Sequence, residues 1–67
     1  MYILNSKGKE LLSNFKLKKI AEIVGINPET LGQMVKKDRP CRKITAYCLT
    51  KILNADAEIE DYFIRKD

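Results

Sequence analysis

Residues 20–35 read IAEIVGINPETLGQMV, and the GINP in their middle narrows what the chain can fold into. Upstream, Leu17, Ile20, Ala21 and Val24 fall at i, i+3, i+4 and i+7, the apolar stripe of a helix. Lys18, Lys19 and Glu22 face away from that stripe. Gly25 ends the helix, because glycine readily takes the left-handed conformation of a C-cap. Asn27 is a preferred N-cap, Pro28 suits the first helical position, and Glu29 suits the positive end of a helix dipole. A second helix therefore starts at once. Leu31, Met34 and Val35 form its inner face, and it should end near Lys36 or Lys37. Two helices joined by Gly25-Ile26-Asn27 cannot share an axis. They are expected to cross at roughly 90–120°, with Ile26 plugging the corner and the small Ala21 admitting the second helix. The expected unit is a helix-turn-helix over about residues 17–36.

The rest of the chain is expected to complete a compact, all-α, five-helix domain. Its 67 residues make one domain, and 45% of them are apolar, enough for one core. A chain this short buries only about 60% of its unfolded surface, so its stability is modest. The first helix is expected over Ser6–Asn14, capped by Asn5 or Ser6, with Leu11, Leu12 and Phe15 inward. Gly8 weakens that helix. Tyr2-Ile3-Leu4 either extends it or forms a short strand. Pro40 biases Arg39 to an extended conformation, so Lys37–Arg42 reads as a basic loop. A fourth helix is expected over about 43–53 with Ile44, Tyr47, Cys48 and Ile52 inward. A fifth is expected over about 57–65, starting near Asp56. Glu58 and Glu60 fall in its first turn, Ile59, Tyr62 and Phe63 anchor it, and Arg65 and Lys66 suit its negative end.

Composition excludes several functions. There is no histidine, which removes the commonest metal ligand and the commonest general base. Cys41 and Cys48, without further soft ligands, make neither a zinc site nor a disulfide scaffold. Cys48 reads as a small core residue, whereas Cys41 sits in a basic loop where its thiol could be acidified for redox sensing. Glu58, Glu60 and Asp61 read as compensation for a helix dipole. No catalytic residue, metal or cofactor is expected. No apolar run approaches the roughly 18 residues of a membrane span, and Met1–Leu4 is too short for a signal-peptide core. A cytoplasmic protein is the expectation.

The net charge is +4, unevenly spread. Residues 1–53 hold eleven Lys/Arg against four Asp/Glu, giving +7; residues 54–67 hold two against five, giving −3. A basic body with an acidic tail fits either a polyanion partner or merely a basic surface. A helix held outward by a sharp turn fits a DNA major groove about 12 Å wide.

Leu17–Lys36 resembles the helix-turn-helix of the phage repressor and Cro-like, or XRE-type, family. Ile20, Ala21, Val24, Gly25, Ile26, Leu31 and Met34 carry the resemblance. Lys36-Lys37-Asp38-Arg39-Pro40 is similar to the family's basic loop, and Ile52–Ala55 with Ile59–Phe63 to its closing helices. The resemblance implies a sequence-specific transcriptional regulator of phage or mobile-element origin. Its partner would be double-stranded DNA, bound as a homodimer with half-sites about 34 Å apart. By position, Gln33, Glu29, Thr30 and Pro28 would face bases, Gln33 foremost because glutamine pairs bidentately with adenine. Lys18, Lys19, Lys36, Lys37, Arg39, Arg42 and Lys43 would neutralise phosphates. Tyr62, Phe63 and Ile64 would form the dimer contact. Leu17, Pro28 and Gly32 depart from the family pattern. Gly32 should cost about 1 kcal/mol relative to alanine, and either admits a close backbone approach or marks a face that no longer reads bases. A second function therefore stays open: a protein-binding module on the same scaffold, acting as antirepressor or modulator of another regulator.

Overall fold

The computed structural model describes residues 1–66. In chain order the elements are β1 (Tyr2–Leu4), α1 (Ser6–Ser13), α2 (Leu17–Val24), α3 (Pro28–Lys36), α4 (Lys43–Leu53), α5 (Ile59–Tyr62) and β2 (Phe63–Arg65). The chain is mostly helical, but it is not all-α. β1 and β2 pair antiparallel with Tyr2 opposite Arg65, Ile3 opposite Ile64 and Leu4 opposite Phe63. The loop after α3 adds a bridge on the other side of β1, where Tyr2 and Cys41 exchange both backbone hydrogen bonds at 2.8 Å.

The helix ends follow local chemistry. Gly25 caps α2 at φ 85°, a conformation that strains any residue with a Cβ. The Asn27 side-chain oxygen accepts from the Glu29 amide at 2.8 Å, and Pro28 opens α3. Asn5 caps α1 in the same way, accepting from the Gly8 amide. α2 and α3 pack directly on each other, and Ile20, Ala21, Leu31 and Met34 join one core with Leu4, Leu12, Leu49 and Phe63. Ile26 lies against that core from the turn.

Three further expectations fail. The fifth helix does not run over 57–65. Glu58 caps it through a reciprocal pair with Asp61, it lasts one turn, and the chain then extends from Phe63. Arg65 and Lys66 therefore do not close a helix. Pairing with β1 gives Phe63–Arg65 a ladder that a lone terminal helix turn could not match. The inner face of α4 is also displaced. Ala46, Leu49 and Thr50 are buried, Cys48 and Ile52 are half-buried, and Ile44 and Tyr47 are 66% and 49% exposed. Residues 46, 49, 50 and 53 form an equally good helical stripe, but alanine and threonine make it look less apolar than its rival. Among the described residues, the fully buried Thr50 hydroxyl has no hydrogen-bond partner. Phe15, expected in the core, lies just past α1 and is exposed.

Gly8 is in the structure for packing. A Cβ there would lie 2.5 Å from the carbonyl oxygen of Tyr62 and 2.8 Å from a Leu4 methyl. That same carbonyl accepts the Asn5 amide at 2.9 Å. The glycine thus lets α1 lie directly on the end of α5, where β2 begins.

Candidate nucleic-acid interface

α3 buries Leu31 and Met34 and turns its opposite side to solvent. On that outward side, Glu29, Gly32, Gln33, Lys36 and Lys37 line an open concavity of about 300 Å³. Its depth comes from Gly32: a Cβ built there would meet nothing within 4 Å. The fold therefore does not require a glycine at this position, unlike at Gly8. The helix bears the conformational cost of a mid-helix glycine without any packing return.

The loop after α3 folds back over this surface. Asp38 has φ 53°, the left-handed region that asparagine and aspartate tolerate better than other residues with a Cβ. It reverses the chain just beyond the helix end. Lys37 and Arg39 both donate their backbone amides to the Gln33 carbonyl, at 2.7 and 3.4 Å. The Arg39 guanidinium reaches the same residue's side chain, donating from Nη1 to Oε1 at 2.5 Å. Asp38 is ion-paired to Lys9 of α1, and Cys41 is bridged to Tyr2, so the loop is tied down on both sides of Arg39.

Of the residues the sequence singled out, Glu29, Gln33, Lys36 and Lys37 share one concavity, and Arg39 joins it through Gln33. Pro28 is exposed at the helix start and Thr30 is half-buried; neither lines the concavity. Lys18 and Lys19 are exposed in the first turn of α2, and Arg42 and Lys43 are exposed at the start of α4. Neither of these helices has an acidic residue in its first turn or a side-chain cap. Cations at a helix N-terminus oppose the dipole, by about 0.3–1 kcal/mol for each exposed group. The coupling of Arg39 to Gln33 was not read from the sequence. Its only sequence signal is an aspartate two residues past the helix end, followed by Arg39-Pro40.

The expected dimer contact is corrected. Tyr62 and Phe63 are buried inside the protomer, against α1, β1 and α4, and only Ile64 is exposed. The redox expectation for Cys41 is corrected too. The residue is buried, and desolvation pushes its thiol from the ordinary 9.0 up to about 11, with the amino-terminal charge pulling weakly the other way. At neutral pH it is a protonated core thiol, which reacts slowly with oxidants.

This shift has a measurable consequence. The unfolded thiol ionises near 9.0 and the folded one near 11. The folded state therefore holds its proton where the unfolded state has lost it. The stability contribution is complete below pH 9 and is lost as pH rises towards 11. Urea midpoints of the wild type and Cys41→Ala, taken at pH 9 and pH 11, test it. The wild type is expected to lose more stability across that interval. Equal losses would show that Cys41 is not the group responsible.

Among the described residues, no group of three or more His, Cys, Asp or Glu could hold a metal ion, and no helix is long and apolar enough to cross a membrane. No protein-family model, curated protein or solved structure matches the chain.

Proposed function

We propose that the chain is a sequence-specific double-stranded-DNA-binding transcriptional regulator of the phage repressor and Cro-like kind. It acts through binding rather than catalysis. In this reading α2 and α3 are the helix-turn-helix and α3 is the recognition helix. The observation that carries the reading is the outward face of α3. It is open, basic towards its C-terminal end, and kept concave by a glycine the fold does not need. A helix face that gives up stability to stay concave suits close approach by a rigid, polar, negatively charged surface. The edge of a base-paired duplex is such a surface.

The starts of α2 and α4 support the same partner. Their first amides lack side-chain caps, and Lys18, Lys19, Arg42 and Lys43 stand beside them. Uncapped amides with adjacent cations are what a phosphate oxygen requires. Lys36 and Lys37 would add sequence-independent affinity around α3.

Selection from a pool of random duplexes tests the reading. The enriched sequence and a scrambled control are then titrated at two salt concentrations. The expected result is an enriched palindrome bound far better than the control. Weak binding without enrichment, vanishing as salt rises, would overturn base reading. A second reading, a protein-binding module that modulates another regulator, is supported by the exposed Ile44 and Tyr47 on α4. Tight capture of a purified regulator, with no salt-sensitive duplex binding, would favour it instead.

A further inference from the structure

The family resemblance implies Gln33 as the foremost base reader and Arg39 as a phosphate contact. The geometry points to the reverse. We infer that Arg39 is the specificity-determining residue of the α3 surface, that guanine is its target, and that Gln33 positions it. The inference rests on the DNA-binding reading above.

A glutamine that reads adenine uses both ends of its amide. Its oxygen accepts from the N6 amino group and its nitrogen donates to N7. Here the Gln33 oxygen already accepts from Arg39 Nη1. That leaves an adenine only the oxygen's second lone pair, beside a charge-assisted hydrogen bond about twice as strong as a neutral one. Arg39 has the opposite stock. A guanidinium carries five N–H donors in a planar fork, and this contact uses one of them. The remaining donors match guanine O6 and N7, the commonest base-specific contact that proteins make.

The guanidinium is also pre-placed, which a phosphate-seeking side chain does not need. The left-handed Asp38 turns the chain back towards α3. The Arg39 amide and the Arg39 side chain both end on Gln33. The Lys9–Asp38 ion pair and the Tyr2–Cys41 bridge hold the loop on either side. The concavity over Gly32 adjoins this pair and gives a base edge room to approach the helix backbone. Lys36 and Lys37 also line it as point charges that attract phosphate.

The test runs duplex selection in parallel on the wild type and Arg39→Ala, which removes every guanidinium donor. The wild type is expected to enrich a half-site with one invariant guanine. In Arg39→Ala that position alone should become degenerate, with the preference for guanine there falling about 5- to 150-fold, the range of one bidentate pair. Replacing the guanine by 7-deazaguanine should weaken the wild type and leave Arg39→Ala unaffected. Gln33→Ala should weaken binding while retaining the guanine preference. An identical enriched site for wild type and Arg39→Ala would overturn the inference and leave the DNA-binding reading standing. So would Gln33→Ala losing an adenine preference and keeping everything else. A wild type that enriches no sequence would overturn both.

Discussion

Gly8→Ala is expected to cost this protein much of its stability. The new methyl would sit 2.5 Å from the Tyr62 carbonyl oxygen and 2.8 Å from a Leu4 side-chain carbon. A flexible side chain could move aside, but the carbonyl belongs to the backbone where α5 becomes β2. It is also held by the Asn5 amide. Relief therefore requires α1 to lift away, which strains both the Asn5 cap and the β1–β2 pairing. Overpacking of this kind costs about 3 kcal/mol. A chain of this length has roughly 3–10 kcal/mol in total. The thermal midpoint should fall by about 15 °C or more, at about 4–8 °C per kcal/mol for a domain of this size. Gly32→Ala is the control, in the middle of α3, where the added methyl meets nothing within 4 Å. It should raise the midpoint by several degrees, from a gain of about 1 kcal/mol in helix propensity. Far-UV circular dichroism melts of both variants check the pair. Gly8→Ala melting like the wild type would mean that α1 does not lie on the Tyr62 carbonyl.

Reversing the charge of Lys36 and Lys37 together should have the largest effect on duplex binding. Both are exposed at the C-terminal end of α3, and both line its outward concavity. Each lysine that neutralises a phosphate contributes about 0.9 to the slope of log affinity against log salt. Lys36→Glu with Lys37→Glu should therefore lower that slope by about two. Affinity for specific and scrambled duplexes alike should fall about a hundredfold, since the loss is electrostatic and sequence-independent. The acidic side chains also sit badly at a helix C-terminus, at a cost of about 1 kcal/mol, so the fold should survive. Fluorescence anisotropy across a salt series, with a melt alongside, separates the two effects. Unchanged binding with an intact fold would place the duplex elsewhere on the molecule.

These expectations draw on different kinds of information. The ends of α2 and α3 were legible because their determinants lie within a few residues of one another. Gly25 stops one helix, Asn27 and Pro28 start the next, and Leu17–Val24 and Pro28–Lys36 match the boundaries read from the sequence. The resemblance to the repressor and Cro-like family implied Glu29 and Gln33 as base-facing and Lys36 and Lys37 as phosphate contacts, and these four line the concavity on α3.

Tertiary structure decided what depended on distant partners. Phe63–Arg65 carries a sequence that either helix or strand would accept, and only β1, some sixty residues away, makes the strand the better state. Two overlapping stripes on α4 satisfy helical spacing, and the shape of the core chose the one through Ala46, Leu49 and Thr50. The same distance hid the meaning of Gly8, whose neighbour is the Tyr62 carbonyl. It also hid the placement of Arg39, which depends on a left-handed Asp38 held by Lys9. The sequence by itself determined where α2 and α3 begin and end and which face of α3 is polar, because caps, turns and periodicity act over one or two helical turns. The strand pairing, the register of the core and the coupling of Arg39 to Gln33 belong to the fold, because they are contacts between segments that only folding brings together.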